Sequence, residues 1–371
     1  MKNTSPNFPL KISIRPTLGF LIIGDPHVWS KQPGRRRDDS FLDTIIDKLH
    51  QAAEIANRLN LWPLILGDLM HDDNDHKVST LIKLSRALQR FDRKPVCLVG
   101  NHDKDENYLS DNNALLLLGV TNQLDLIDRN EMWGIVEIQG ENGAIKKVAV
   151  GGTPYGGEIP VDLGKTLGLG KQSVHEALGV DQVLWMTHED LAFSGAYPTA
   201  LPIQEIKGVD LSFNGHMHGT TLPQKAGMTA WYNPGNITRM SVDLMNHVPS
   251  VWSWTPFEQE TMKTQQGLDV PLVTQYPLNY KPGPEIFSLE GRHATAVLPE
   301  ETASDENKEK AERNHSAFAE KLLLDRDLSR TDDGTYTRES LEDIFAQKKT
   351  TDAVKSILRR TQEKAANKVS S

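Results

Sequence analysis

The stretch KPVCLVGNHD, residues 94–103, joins a short apolar strand to a turn whose polar side chains are able to bind metal. Four other stretches have the same form: LGFLIIGDPH (18–27), LWPLILGDLMH (61–71), DQVLWMTHE (181–189) and VDLSFNGHMH (209–218). In open α/β sheets the ligand site lies at the carboxyl ends of the strands. The sequence therefore predicts an α/β fold in which the five turns converge on one point.

The side chains in these turns suit a pair of divalent ions. Two ions about 3.5–4 Å apart clamp the attacking and leaving oxygens of a phosphoryl displacement, and such a pair requires a shared ligand. Asp68 suits that role because a carboxylate has two oxygens, whereas a neutral imidazole offers a metal one nitrogen. Mixed His, carboxylate and amide ligands favour manganese, with iron, zinc and magnesium as alternatives, over calcium. The predicted ligands are Asp25, His27, Asp68, Asn101, His188, His216 and His218.

The order DPH, GDLMH, GNHD, THE and GHMH resembles the calcineurin-like metallophosphoesterase superfamily over about residues 17–256. Within it, the chain is most similar to the SbcD-type nuclease subunit of double-strand-break processing complexes. GDLMH is similar to that family's GDLFH, with His71 three residues past Asp68. The arginine-rich GRRRDDSFLDTI (34–45) and the segment TAWYNPGNITR (229–239), similar to the family's YPGS-x-x-R, point the same way.

The resemblance implies a role for each residue of the motifs. His102 would be the catalytic histidine that protonates the leaving 3′ oxygen, a task that suits an imidazole near neutral pH. His71 would contact DNA or assist at the phosphate, unless it is a polar loop residue. Asp103 would either orient His102 or cap a helix N-terminus. One ion would bind Asp25, His27, Asp68 and His218, and the other Asp68, Asn101, His188 and His216.

The net charge of −9 is unusual for a protein that binds nucleic acid, because DNA binding neutralises phosphates with basic side chains. Several of the acidic residues are predicted metal ligands, whose charge bound cations would offset. The predicted substrate contacts are Arg35, Arg36 and Arg37, directly after the first motif, and by resemblance Arg239. The alternative for the arginine run is a solvated loop.

The sequence thus predicts a metal-dependent DNA nuclease, with exonuclease and endonuclease activity, that acts in DNA repair, recombination or replication. DNA, an SMC-like ATPase of the SbcC type and a second copy of the chain are the expected partners. The alternatives are a small-nucleotide phosphodiesterase and a binding or scaffold protein that keeps the fold without turnover. Phosphoprotein phosphatases are excluded by resemblance, because Asp72 and Asp73 stand where those enzymes carry an arginine.

Length and composition are those of a cytoplasmic enzyme. The 371 residues support about two domains, and the single cysteine, Cys97, excludes an intramolecular disulfide. The sequence shows neither a charged-then-apolar leader nor an apolar run of about 18 residues, so no membrane association is expected.

Hydrophobic periodicity predicts two packed sheets flanked by helices, followed by an extension of irregular and helical segments. Helices are expected over 39–60, 78–92 and near 110–118, and further strands over 132–138, 145–150, 228–232 and 249–254. The predicted domains are a phosphoesterase domain (1–256), an irregular capping or linker extension (257–334) and a helical segment (335–371). Two helices, 337–348 and 351–367, are expected in the last segment, either docking the partner ATPase or packing on themselves.

Overall fold

The computed structural model describes residues 11–12, 16–73, 75–105, 108–193 and 200–288. The helices and strands of these residues are, in chain order, β1 (Lys11–Ile12), β2 (Gly19–Ile23), α1 (Phe41–Arg58), β3 (Leu61–Ile65), α2 (Val78–Leu88), β4 (Val96–Leu98), α3 (Ala114–Val120), β5 (Asp125–Ile127), β6 (Glu131–Gln139), β7 (Ile145–Thr153), α4 (Leu163–Thr166), α5 (Val174–Leu178), β8 (Gln182–His188), β9 (Leu211–Gly215), β10 (Gln224–Ala226), β11 (Thr229–Tyr232), β12 (Ser250–Trp254), β13 (Thr261–Lys263), β14 (Asp269–Pro271), β15 (Thr274–Pro277) and α6 (Gly283–Ile286). A 3₁₀ turn spans Val242–Leu244.

The chain forms two compact units. The first contains the described residues of Met1–Gln32, Asp38–Arg239 and Asn246–Pro282. The second contains Pro33–Arg37, Met240–Met245 and the described residues from Gly283 onward. Both sheets and all the predicted metal ligands belong to the first unit.

A six-stranded sheet carries the first three motifs. Its order is β15-β12-β2-β3-β4-β5, with β2 to β5 parallel and β12 and β15 antiparallel to their neighbours. Helices α1, α2 and α3 connect the successive parallel strands. Because parallel strands end at the same edge of a sheet, the turns after β2, β3 and β4 lie side by side.

A seven-stranded sheet carries the other two motifs. Its order is β1-β6-β7-β8-β9-β11-β10, and β7, β8, β9 and β11 run parallel. The turns that follow β8, β9 and β11 therefore also share one edge. A short antiparallel pair, β13 and β14, completes the strands of the described residues.

The main hydrophobic core lies between the two sheets. Alternate residues of each strand point into it, as the two-residue period of a strand requires: Phe20 and Ile22 of one sheet meet Leu184 and Met186 of the other. The two-sheet α/β fold predicted from the sequence is confirmed.

Helix α1 shows how the sequence builds the outer layer. Ser40 caps it by accepting a hydrogen bond from the backbone N–H of Asp43, 3.2 Å away. Ile45, Leu49 and Ala52 recur at helical spacing and are buried. The helix predicted over 39–60 is therefore present, with Ser40 as its cap.

The segment after β12 is more regular than the sequence indicates. Residues 257–288 were expected to be irregular, yet β13 pairs with β14, and β15 joins the six-stranded sheet through β12. These strands have three or four residues and largely exposed side chains, so they leave no periodic apolar pattern. The domain boundaries at 256 and 334 remain predictions. The helices predicted over 337–348 and 351–367 lie outside the described residues.

Cys97 is buried in β4. Among the described helices, none combines the length and the apolar character that crossing a membrane requires.

Candidate metal centre

The strand ends bring the predicted ligands into two adjoining clusters. The first contains Asp25, His27 and His218, and the second contains Asp68, His188 and His216; within each cluster the potential ligand atoms lie within 4.8 Å of one another. The residues thus divide as the resemblance implies. Their assignment to individual ions remains a prediction.

Asn101 completes the second cluster. Its Oδ1 lies 2.9 Å from Nδ1 of His216 and 3.2 Å from Nε2 of His188. The other ring nitrogen of His188, Nδ1, lies 2.7 Å from the carbonyl oxygen of Leu66. A backbone carbonyl in that position fixes the tautomer and leaves Nε2 for a metal, as is usual for ligating histidines.

Asp68 lies between the clusters. Its Oδ2 is 3.2 Å from Nε2 of His188 in one cluster and 3.8 Å from Nε2 of His27 in the other. Its Oδ1 accepts a hydrogen bond from the backbone N–H of His102, 2.8 Å away. The carboxylate is therefore held in place on one side and is available to both clusters on the other, which is the position that a bridging ligand needs.

The buried polar atoms of the clusters fit divalent cations. Both carboxylate oxygens of Asp25 and Oδ2 of Asp68 are buried and accept no hydrogen bond from the described residues. A buried, unsatisfied carboxylate is strongly destabilising unless a cation compensates it. In the first cluster, Nε2 of His27 and Nε2 of His218 are 2.8 Å apart, close enough for both to bind one cation.

Electrostatics favours neutral histidines in the first cluster. Burial lowers the pKa of His27 well below its ordinary value and that of His218 to about 3. Neutral imidazole is the form that binds metal. Burial also raises the pKa of Asp25 to about 6, against the opposing pull of His188, so a nearby cation would favour its ionised form.

The backbone is strained at three of the predicted ligands. His27, Asp68 and His216 have positive φ angles of 49°, 46° and 70°. Only a few per cent of residues other than glycine adopt this conformation, with asparagine, aspartate and histidine the most frequent among them, and such residues concentrate at functional sites. The strain turns these side chains toward the clusters immediately after their strands end.

His102 and His71 lie beside the first cluster. Their rings stack with centroids 4.8 Å apart, and the ring of His27 lies 5.1 Å from that of His102 and 5.3 Å from that of His71. Nδ1 of His102 is 2.8 Å from the carbonyl oxygen of His71. The ring of Trp29 packs on the other side of His71, with centroids 4.3 Å apart. His71 thus lies in the loop after β3 against both rings, and its role in contacting DNA or assisting at the phosphate stays a prediction.

Asp103 has neither of the roles considered for it from the sequence. Its two carboxylate oxygens accept hydrogen bonds from the backbone N–H groups of Met70 and Gly100, each 2.9 Å away. The side chain therefore ties the turn after β3 to the turn after β4. Burial, followed by the charge of Asp68, raises the pKa of this carboxyl to about 7.

The motifs did not reveal a turn at the edge of the second cluster. The half-buried ring of Tyr155 packs against His216, with centroids 5.4 Å apart. The carbonyl oxygen of Tyr155 accepts a hydrogen bond from Nζ of Lys104 over 2.8 Å, and Oε1 of Glu189 accepts one from the backbone N–H of Gly156 over 2.6 Å. The only sequence signal for this turn is the Pro-Tyr-Gly-Gly run after β7.

Two of the arginines predicted to contact substrate are nearly buried. In the second unit, the guanidinium of Arg36 lies 5.4 Å from the ring centroid of Phe287, and Nη2 of Arg37 donates to Oγ of Ser288 over 3.0 Å. In the first unit, the guanidinium of Arg239 lies 4.9 Å from the ring centroid of Tyr280. Arg36 and Arg239 are 8% and 3% exposed, so each would have to move to reach a phosphate. The substrate roles of these residues and of Arg35 remain predictions.

Comparison with solved structures finds distant likenesses. The NAD nucleotidase of Haemophilus influenzae is 11% identical over 83% of this chain and 59% of its own, with a TM-score of 0.36. A 5′-nucleotidase precursor from Thermus thermophilus is 11% identical over 83% of this chain and 60% of its own, with a TM-score of 0.38. The chain thus spans about three fifths of the length of these two proteins.

No curated protein matches the sequence. The family model described as calcineurin-like phosphoesterase matches residues 18–220, which is more than half of the chain and includes both clusters. That family hydrolyses phosphoesters with the aid of divalent metals. The chain belongs to the calcineurin-like phosphoesterase family.

Proposed function

We propose that this phosphoesterase is a nuclease that hydrolyses the phosphodiester bonds of DNA, with two divalent ions, manganese first among them, held by the two clusters. The observation that carries the proposal is the stacked pair of His71 and His102 beside the first cluster, with ring centroids 4.8 Å apart. Asp25, His27, Asp68 and His218 would hold one ion, and Asp68, Asn101, His188 and His216 the other.

The ions, when bound, would supply the charge that stabilises the transferring phosphoryl group and activates a water molecule. The residues of this chain position the ions and supply their ligands. Asp68, shared by the clusters, keeps them at a fixed separation. The histidines of the first cluster, kept neutral by burial, contribute lone pairs without competing charge.

His102 is placed to move a proton. Its Nδ1–H donates to the carbonyl oxygen of His71, so Nε2 is the ring nitrogen that would hold the proton for the leaving oxygen. Burial lowers the pKa of His102, against the opposing pull of Asp68. The negative charge of a bound phosphodiester would act in the same direction as Asp68 and favour the protonated imidazole.

The charges that follow His71 favour diesters over monoesters. Asp72 and Asp73 come directly after it, and Oδ2 of Asp72 lies 3.4 Å from Nζ of Lys31. A phosphomonoester carries about two negative charges at neutral pH, whereas an internal phosphodiester carries one. Carboxylates on this loop would therefore repel a monoester more strongly.

The proposal extends to partners. An SMC-like ATPase of the SbcC type, and a second copy of the chain, are proposed on the resemblance of GDLMH and NPGNITR to the SbcD-type family. Arg35, Arg36 and Arg37 are proposed as DNA contacts because their segment, GRRRDDSFLDTI, follows the first motif directly. Arg239 is proposed as a further contact on the resemblance of NPGNITR. A role in DNA repair, recombination or replication follows from these partners, and we propose a cytoplasmic location for it.

The test is cleavage by the purified protein loaded with manganese. End-labelled double-stranded and single-stranded DNA are compared with bis-p-nitrophenyl phosphate and with cyclic nucleotides. Manganese-dependent degradation of DNA that the His102→Gln variant lacks supports the nuclease. Turnover of cyclic nucleotides with intact DNA would instead identify a small-nucleotide phosphodiesterase, and bound ions without any turnover would favour a binding or scaffold protein.

A further inference from the structure

We propose that two buried asparagines, Asn214 and Asn233, act as separate positioning residues, one for each ion of the pair. Asn214 would serve the ion held by His188 and His216, and Asn233 the ion held through His218. This inference rests on the two-ion centre proposed above. It adds that the ligands of each ion are positioned by a different asparagine, and that neither asparagine is itself a metal ligand.

Asn214 holds the chain on both sides of His188. Its Oδ1 accepts hydrogen bonds from Oγ1 of Thr187 over 2.8 Å and from the backbone N–H of Glu189 over 3.2 Å. Its Nδ2 donates to the carbonyl oxygen of Glu189 over 3.0 Å, and to that of Gly215, the residue before His216, over 2.6 Å. One side chain thus connects the ends of β8 and β9, from which the two histidines project.

Asn233 holds the chain on both sides of His218 in the same way. Its Nδ2 donates to the carbonyl oxygens of Met217 and Gly219 over 3.0 Å and 2.7 Å. The turn that Asn233 begins also contacts the carbonyl between them, because the backbone N–H of Asn236 donates to the oxygen of His218 over 3.0 Å. The turn after β11 therefore donates hydrogen bonds to three consecutive backbone carbonyl oxygens, those of Met217, His218 and Gly219.

The same turn reaches the opposite side of the first cluster. The backbone N–H of Ile237 donates to the carbonyl oxygen of Gly24 over 3.2 Å, directly before Asp25. Gly24 packs so closely on Gly235 that a Cβ on Gly24 would collide with the Gly235 carbonyl. Residues 233–237 thus connect Asp25 to His218, both predicted ligands of the first ion.

An amide side chain suits these positions. At a strand end the backbone carbonyls have lost their ladder partners, and a buried carbonyl needs a donor. An asparagine NH₂ group has two donors and satisfies two carbonyls from one point. Both side chains are fully buried, so water does not replace them readily. Loss of such supporting contacts typically weakens metal binding by about 10-fold to 100-fold.

The two sets of contacts do not overlap. The side-chain hydrogen bonds of Asn214 go to residues 187, 189 and 215, and those of Asn233 to residues 217 and 219. Each asparagine touches the backbone that carries its histidines rather than the rings. Removing one should therefore disturb one ion much more than the other, whereas general destabilisation would affect both.

The experiment is cadmium binding to the metal-free full chain, followed by ¹¹³Cd NMR and calorimetric titration. The wild type should bind two ions with two resonances, which the variants His188→Asn and His218→Asn assign. Asn214→Ala should weaken the ion assigned to His188 by about 10-fold to 100-fold, and Asn233→Ala should weaken the ion assigned to His218 by a similar factor. The other ion should change by less than about threefold in each case.

The matched control is Asn113→Ala, which removes a buried amide that contacts Asp105 and Ser110 and should leave both ions in place. Asn214→Ser and Asn233→Ser, which keep a polar group, replace the alanine variants if circular dichroism shows those to be unfolded. Equal weakening of both ions, or of neither, overturns the inference while leaving the two-ion centre intact. A wild type that binds fewer than two ions overturns both.

Discussion

Nδ1 of His102 lies 2.8 Å from the backbone carbonyl oxygen of His71, and the two rings stack with centroids 4.8 Å apart. The backbone of one histidine thus sets the tautomer of the other, while their rings share one face. His102, the proposed general acid, is therefore in direct contact with His71, the residue proposed to contact the DNA. Their two roles are separable by experiment.

Replacing His102 by glutamine should abolish hydrolysis while both ions stay bound. General acid catalysis contributes about 10²-fold to 10⁴-fold, and a glutamine amide does not supply the proton. Metal content by atomic emission and initial rates on DNA are the two measurements. Full activity in the His102→Gln variant would refute the assignment of the proton to this ring.

Replacing His71 by alanine should reduce cleavage of DNA more than cleavage of bis-p-nitrophenyl phosphate. The backbone carbonyl that orients His102 survives the substitution, so the small diester should still be hydrolysed. Rates on both substrates give the ratio, and His76→Ala, an exposed histidine of the same loop, is the control. Equal losses on both substrates would show that the His71 ring acts through its packing on His102.

Replacing Asp68 by asparagine should weaken both ions, because its Oδ2 faces both clusters. His218→Asn, which changes one cluster, should weaken one ion. Metal stoichiometry after dialysis against limiting manganese distinguishes the two patterns. If Asp68→Asn still bound one ion with unchanged affinity, the carboxylate would serve a single ion rather than bridge two.

Removing metal should lower the melting temperature. The strained residues and the bare carboxylates of Asp25 and Asp68 destabilise the metal-free fold, and an ion that binds only the folded state stabilises it by about 2.7 kcal/mol at about 100 times its Kd. Each kcal/mol corresponds to about 2–4 °C for domains of about 150–250 residues. Calorimetric scans in chelator and in manganese measure the difference. If the Asp68→Asn variant showed the same change in melting temperature between chelator and manganese, the stabilising ion would bind at a site that does not include Asp68.

The sequence predicted those parts of the centre that depend on local order. Each predicted ligand ends its strand, as His188 does, or follows it within a few residues, so a short apolar run and the next polar residue define both the strand and the ligand. Asp68 illustrates this. Its position directly after β3 is enough to place it at the carboxyl edge of the parallel strands. The crossover helices are equally local, because their apolar spacing and the Ser40 cap are continuous in sequence.

The remaining features depend on contacts between distant parts of the chain. Asp103 braces Met70, 33 positions earlier, and no local pattern separates that role from a helix cap. Asn214 and Asn233 read as polar residues beside the motifs, and their bonds depend on which strand ends become neighbours. Strand β15 is likewise fixed by its pairing with β12, more than twenty residues earlier along the chain, rather than by its own composition.

Tyr155 should set how well the enzyme binds the part of the substrate beyond the scissile phosphate. Its half-buried ring packs against His216 at the edge of the second cluster, where we expect it to stack with a nucleoside. Stacking of a base on an aromatic side chain contributes about 1–3 kcal/mol, so Tyr155→Ala should raise KM for DNA by about 5-fold to 150-fold. Tyr155→Phe keeps the ring and should behave like the wild type. Steady-state kinetics decides the matter: a fall in kcat at constant KM would show that the ring supports His216 instead of the substrate.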